Sequence, residues 1–147
     1  MDIKDTKQAR VRIAFDGRVT KEFVGPMAFE RFDNERRILR FLEQKNCPFV
    51  PRVLDDNPDI PALVTSNCGQ IVDKINPDKL KALFAELESY GVRHEDPYPR
   101  NVTYSPQLGR FCLIDFEFAT NLETGEGLVV AQVEQYRRQS QRSDLTE

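Results

Sequence analysis

The sequence has little of what usually announces a chemistry. There are three cysteines, Cys47, Cys68 and Cys112, and a single histidine, His94. The cysteines form no CxxC pair and their number is odd, which argues against a disulfide framework. Cys112 stands in an apolar run and reads as a small core residue, and no histidine is placed to activate any of the three as a nucleophile. No apolar run approaches the length of a bilayer span, and the first residues, Met1 to Asp5, carry no signal-peptide pattern. A membrane span is therefore not expected, and the cytoplasm is the expected location. Internal repeats and low-complexity tracts are lacking as well.

What is there suits one domain. A chain of 147 residues with 39% hydrophobic and 31% charged residues is long enough to build a core, and has the composition of a soluble globular protein. The net charge of −3 is unevenly spread: residues 1–45 hold 11 Lys/Arg against 8 Asp/Glu, and the remainder 10 against 16. An anionic ligand between a mildly basic first part and an acidic second part is compatible with that division, and so is plain surface charge. An acidic chain without interleaved basic and aromatic residues is not expected to bind nucleic acid. The basic tail of Arg137, Arg138 and Arg142 reads as a solvated helix face.

Two hairpins stand out. Arg10 to Phe15 alternates in part, Asp16-Gly17 supplies a tight-turn signal, and Val19 to Val24 returns. Alternation puts Lys21 on one side with Val19 and Phe23, as for a lysine that runs its stem along apolar neighbours and reaches water. After Gly25-Pro26, Met27 to Gln44 reads as a helix with Ala28, Phe32, Leu39 and Leu42 on one stripe and Phe29 and Ile38 beside it. Glu35 falls on that stripe, where a carboxylate calls for a cation. Lys21 is the nearest candidate, and the alternative is a rim position beside Arg31 or Arg36. Four of the nine prolines lie within residues 46–61, predicting a loop with short extended pieces, followed by a strand over Ile60 to Thr65. Asn76-Pro77 opens, and Gly91 closes, a helix carrying Leu80, Leu83, Phe84 and Leu87. The pattern predicts a polar turn over 120–127 and a last helix over about Leu128 to Gln141.

The second hairpin organises the rest. Asn101 to Tyr104 and Arg110 to Ile114 read as strands joined by Ser105-Pro106-Gln107-Leu108-Gly109. Asp96 and Asn101 stand just before the first strand and Asp115 ends the second, so the three should face one small volume. Two carboxylates and a carboxamide suit Mg²⁺ and phosphate oxygens better than a soft metal.

His94-Glu95-Asp96 with Asn101 resembles the catalytic loop of the protein-kinase-like superfamily, written H-R-D-x-x-x-x-N in protein kinases. That superfamily includes small-molecule kinases such as aminoglycoside phosphotransferases, and kinases of the lipopolysaccharide type. Asp115-Phe116-Glu117 resembles its metal-binding D-F-G, and Lys21 with Glu35 its lysine and helix-C glutamate pair. Residues 10–119 or so carry the likeness. It implies an α+β, minimal two-lobed kinase-like fold with a reduced N-lobe sheet over 1–69 and a truncated helical C-lobe over 70–147. It implies ATP and Mg²⁺ as cofactors. Lys21 would bind the nucleotide phosphates and be held by Glu35, Asp96 would accept the proton of the attacking hydroxyl, and Asn101 and Asp115 would hold the metal. His94 would be a scaffold bonding near the D-F-E backbone, and Ala62 to Gly69 the hinge that meets adenine.

The sequence also departs from that family. G-x-G-x-x-G is absent, and too few residues precede the first hairpin to make both an extra strand and a full glycine-rich loop, so a reduced lid over the phosphates is expected. Glu95 replaces an arginine and Glu117 a glycine. The 32 residues after Asp115 leave no room for the family's activation segment and substrate-binding helices. The resulting expectation is a pared-down ATP- and Mg²⁺-dependent phosphotransferase, with a pseudokinase scaffold as the alternative. Its phosphate acceptor is a protein or a small molecule, and a second copy of the chain is a candidate partner at apolar surface left bare.

Overall fold

A computed structural model describes residues 2–5 and 8–128 of the chain. The Asp16-Gly17 hairpin forms as its residues dictate: Gly17, with φ 91°, donates its N–H to Ala14 O at 2.9 Å, and the Ala14 N–H reaches Arg18 O at 2.8 Å. It joins β2 (Ala9–Ile13) to β3 (Val19–Phe23), with Val11 opposite Lys21. On its other side β3 pairs with β5 (Ala62–Thr65), which sets Lys21 opposite Leu63. Two outer strands complete an antiparallel sheet: β1 (Asp2–Asp5) beside β2, and β4 (Val53–Asn57) beside β5.

This five-stranded sheet is larger than the reduced one the sequence implies. β4 lies inside the proline-rich stretch expected to be loop and short extended pieces. Pro51 and Pro58 flank it rather than interrupt it, and it is an edge strand, where prolines near the ends are tolerated. β1 has no alternating pattern of its own and forms by pairing with β2.

The helix α1 (Ala28–Gln44) crosses this sheet. Phe32 meets Phe23 edge to face at 5.8 Å, and with Leu63 these make a small core. The later turns of α1 place Ile38, Leu39 and Leu42 in a second, larger core with Phe49, Leu87, Val92, Val102, Leu113 and Phe116. One helix therefore anchors both clusters. Phe29, expected beside the apolar stripe, is exposed, and its place on the buried face is taken by Arg31, Asn34 and Glu35.

Around the second core stand α2 (Pro77–Ser89) and two short antiparallel sheets. Asn76 caps α2 by accepting the Asp78 N–H at 2.8 Å, and Gly91, with φ 94°, turns the chain out of it. The strands β6 (Gln70–Ile71), β8 (Val102–Ser105) and β9 (Arg110–Leu113) form one sheet, with Val102 opposite Leu113 in the hairpin. β7 (Val92–Arg93) pairs with β10 (Thr120–Asn121), a strand within the stretch expected as polar turn. The helix expected over 128–141 lies outside the described residues, apart from Leu128. The architecture is mixed α+β with two helices and antiparallel sheets, and no helix among the described residues is long and apolar enough to cross a membrane.

Candidate active site

The second hairpin brings its ends together as its turn chemistry predicts. The Ile114 N–H donates to Asn101 O at 3.0 Å, closing the hairpin one residue before Asp115. His94 is buried between Phe84 and Phe116, with ring centroids at 5.2 and 4.9 Å. Its Nδ1 accepts the Asp96 N–H at 3.2 Å, so the proton sits on Nε2, which donates to Ile114 O at 2.8 Å. Both ring nitrogens are thereby used by the backbone. Burial lowers the pKa of this imidazole below the usual histidine range, against the pull of the Ile114 carbonyl and of Asp115 and Asp96. A neutral strut joins the two acidic segments, the scaffold role expected of His94.

Asn101 is buried, and its side-chain amide donates to Asp96 O at 2.9 Å and to Asp96 Oδ2 at 2.7 Å. Both bonds use the amide nitrogen, and Oδ1 takes part in neither. The other oxygen of Asp96, Oδ1, is held by Arg100 Nη2 at 2.7 Å. Asp115 takes a left-handed backbone, φ 62°, and so does Glu95, φ 73°. Two strained non-glycine residues in two site segments are what a site that dictates side-chain direction retains.

Lys21 is largely withdrawn from water. Its Nζ lies 2.9 Å from Glu35 Oε1, 3.0 Å from Asp115 Oδ1 and 3.2 Å from Glu117 Oε1, and its side chain is 12% exposed. The expectation of a lysine reaching solvent is corrected here: three carboxylates hold the ammonium inside the fold. Burial alone would lower its pKa, but Asp115, Glu117 and Glu35 together raise it well above the ordinary value. Glu35 sits on the buried stripe rather than at the rim, and its Oε2 accepts the Phe116 N–H at 2.9 Å. Burial pushes its pKa up; Lys21 opposes this and the neighbouring Asp115 and Glu117 add to it.

Three side chains to which the sequence assigned no place in the site complete the arrangement. Arg31, fully buried, donates to the carbonyls of Pro26 at 2.9 Å, of Gln8 at 3.2 Å and of Val24, and to Glu117 Oε1 at 3.2 Å. Asn34 donates to Glu117 O at 2.8 Å and Ala119 O at 3.0 Å. Glu117, standing where the D-F-G pattern has its glycine, bridges Lys21 and Arg31. The helix thus grips the segment after Asp115 through Arg31, Asn34 and Glu35. The signal in the sequence was position: Arg31 is one turn before Glu35 on the same helical face.

Two cavities meet at Lys21 and Asp115. One, of about 230 Å³, is polar and lined by Gln8, Asp96, Arg100, Asn101 and Glu117 with those two. The other, of about 390 Å³, is walled by Val11, Ile13, Val19, Leu39, Leu63 and Ile114 and floored by residues 66–70. All five residues singled out in the sequence lie at this junction. Cys47, Cys68 and Cys112 are buried with free thiols, and none lines the polar cavity.

No protein-family model matches the sequence, and no curated protein does. Among solved structures, a co-crystal structure of WbdD with the kinase inhibitor LY294002 is similar, with a TM-score of 0.57 and 25% identity. The match covers 80% of this chain but only 32% of that one, so this chain spans about a third of its neighbour's length. Together with the mixed antiparallel architecture, the likeness supports one conclusion: the fold is kinase-like.

Proposed function

We propose that the chain is an ATP- and Mg²⁺-dependent phosphotransferase of minimal two-lobed kinase-like architecture, with residues 1–69 as the first lobe and 70–147 as the second. The observation that carries this reading is Lys21, whose ammonium bonds Glu35 from α1 and Asp115 from the far hairpin at the junction of an apolar and a polar cavity. An apolar slot suits a purine ring, with the backbone of Ser66 to Gly69 at its edge to meet the polar atoms of the base. The polar cavity beside it suits the phosphates.

The donor set fits Mg²⁺. Among the described residues no three acidic, histidine or cysteine side chains group as a cage for a metal. Mg²⁺ is usually held by one or two protein oxygens together with substrate phosphates, and Asn101 Oδ1 with Asp115 supplies such a pair. Once bound, the ion would neutralise charge on the phosphates. Lys21 orients the nucleotide phosphates and Glu35 keeps Lys21 in place. Asp96 takes the proton of the acceptor hydroxyl as that oxygen attacks phosphorus, and Asn101 holds Asp96 at the angle required.

Purified protein incubated with γ-labelled ATP and Mg²⁺ is expected to transfer label to itself or to a generic acceptor, or to release labelled phosphate slowly. Asp96→Asn and Asp115→Asn should each abolish the signal, and equal signal from wild type and variants would end the enzyme reading. A pseudokinase is favoured by one observation: G-x-G-x-x-G occurs nowhere in the sequence, so no glycine-rich loop of that form is available to cover the phosphates. Thermal stabilisation by ATP with Mg²⁺ but no turnover would support that second reading.

A further inference from the structure

The three cysteines are far apart in sequence, yet the fold gathers them into the larger core, and two of them meet. Cys112 on β9 stands opposite Thr103 on β8, so their side chains share one face of the hairpin. The Thr103 hydroxyl donates to the carbonyl oxygen of Cys68 at 2.6 Å, which lays the connection from β5 to β6 against that face. The next residue lies as close: a Cβ on Gly69 would stand 1.9 Å from the carbonyl oxygen of Tyr104. The Cys68 thiol thereby reaches the sulfur of Cys112 and hydrogen-bonds it, whereas the Cys47 thiol meets the backbone of Phe49.

We infer that Cys68 and Cys112 are a site of reversible oxidation, closing to a disulfide when a peroxide enters the apolar cavity. That cavity is the way in, since Cys68 and Thr103 line it and Cys112 is fully buried behind them. A lone buried thiol is inert because burial disfavours its thiolate, as at Cys47, whose pKa is pushed up to about 11. The paired thiols differ. The bond from Cys68 stabilises negative charge on the Cys112 sulfur and lowers its pKa against the effect of burial, while the same bond and burial raise that of Cys68.

The pair gives up one proton as a unit, and the proton left between the two sulfurs passes to Cys112 as the Cys68 sulfur attacks a peroxide oxygen. The O–O bond breaks, the leaving hydroxide takes up a proton as water, and Cys68 becomes a sulfenic acid. The Cys112 sulfur then attacks the Cys68 sulfur, the S–O bond breaks, and the hydroxyl leaves with the Cys112 proton as a second water. The two thiols have lost two electrons to the peroxide, and a dithiol reductant returns them. Cys112 is held in a paired strand and Cys68 in a connection between strands, so closing the bond draws residues 66–69, the floor of the cavity, towards β9. Resting on the phosphotransferase reading, in which that floor meets the nucleotide base, oxidation weakens nucleotide binding.

The test treats the reduced full chain with hydrogen peroxide, alkylates the remaining thiols, maps the tryptic peptides by mass, and measures the Kd for ATP with Mg²⁺ by calorimetry before and after. Wild type and Cys47→Ser should yield a linked peptide pair carrying Cys68 and Cys112 and lose about tenfold in nucleotide affinity, both reversed by dithiothreitol. Cys68→Ser and Cys112→Ser should give no linked pair, and their affinities should not respond to peroxide. A wild-type map showing a bridge to Cys47, sulfinic acid at Cys68, or a Cys68–Cys112 bridge formed only in urea overturns the site. A bridge formed in the folded chain with unchanged nucleotide affinity overturns its link to the cavity. A reduced wild type that binds no nucleotide would end the phosphotransferase reading instead, and the peptide map would still decide the oxidation site.

Discussion

Removing the ammonium of Lys21 would leave Glu35, Asp115 and Glu117 facing one another across a largely buried gap, with Arg31 as the remaining cation of the cluster. Lys21→Met keeps the stem and deletes the charge, and should cost about 3 kcal/mol at neutral pH, read as a lower urea midpoint. The Lys21 pKa is raised in the fold, so its contribution is complete below the unfolded value and is lost only as pH rises through the folded one. Neutral pH therefore measures it in full. The deficit of the variant should shrink as pH falls and Glu35, whose pKa burial pushes up, takes up a proton; a deficit independent of pH would place it in packing instead. His94 has the opposite sign. Its pKa is lowered in the fold, so its contribution is present above the unfolded value of about 6.5 and is lost as pH falls through the folded value. As the only histidine, it makes wild type lose stability more steeply than His94→Gln as pH falls below about 6.5, by denaturant titration at descending pH. Lys21, Glu35, Asp96, Asn101 and Asp115 were legible because each is an ionic or amide group placed by a short local pattern. Arg31 and Asn34 were not, because their partners are main-chain carbonyls of Gln8, Val24, Pro26, Glu117 and Ala119. A sequence carries no sign of which carbonyls a fold will leave without a backbone partner.

Elements whose ends are written in local chemistry were read almost to the residue, and elements defined by a neighbour were not. The two hairpins follow from their turn residues, and α2 from Asn76, Pro77 and Gly91. In contrast β1, β4 and β10 exist because a partner strand offers them hydrogen bonds. Asn76→Ala removes the side-chain acceptor at the start of α2 and should cost about 1 kcal/mol in urea unfolding. The site should feel that change little, since Leu83, Phe84 and Leu87 keep the helix in the core. Gly69 behaves differently. Its φ is 91°, and a Cβ there would stand 1.9 Å from the carbonyl oxygen of Tyr104, so the backbone joining β5 to β6 must move in Gly69→Ala. Because Gly69 floors the apolar cavity, its substitution should weaken binding of an adenine nucleotide by about tenfold or more, against a near-normal affinity in Asn76→Ala. Equal affinities in the two variants would remove that cavity from the binding reading.

At the scale of the molecule, α1 belongs to both hydrophobic cores and carries the polar side chains that grip the segment after Asp115, so the charge cluster is where the two packed regions are joined. A kinase-like fold was legible because its ordered polar positions are far apart in sequence yet few in kind. The extent of the first sheet was not, because edge pairing leaves so faint a pattern. The joint has an electrostatic consequence. Lys21 pairs with three carboxylates at once. Phosphates that claim Lys21 return Asp115 and Glu117 to a site that has just gained further negative charge, and only a second cation relieves them. ATP with Mg²⁺ at about 100 times its Kd should therefore raise the unfolding free energy by about 2.7 kcal/mol, seen as a higher thermal midpoint, while ATP with a chelator should raise it much less. Asp115→Asn removes one of the competing charges and one oxygen of the expected metal pair, so it should narrow the difference between the two ATP conditions. The effect should reach both cores: amide exchange at Phe116, whose N–H bonds Glu35, and along β3 should slow together when the metal nucleotide binds. Equal stabilisation with and without chelator would mean that nucleotide binds without drawing Lys21 away from its carboxylates, and the coupling between metal and phosphate argued from this cluster would fall.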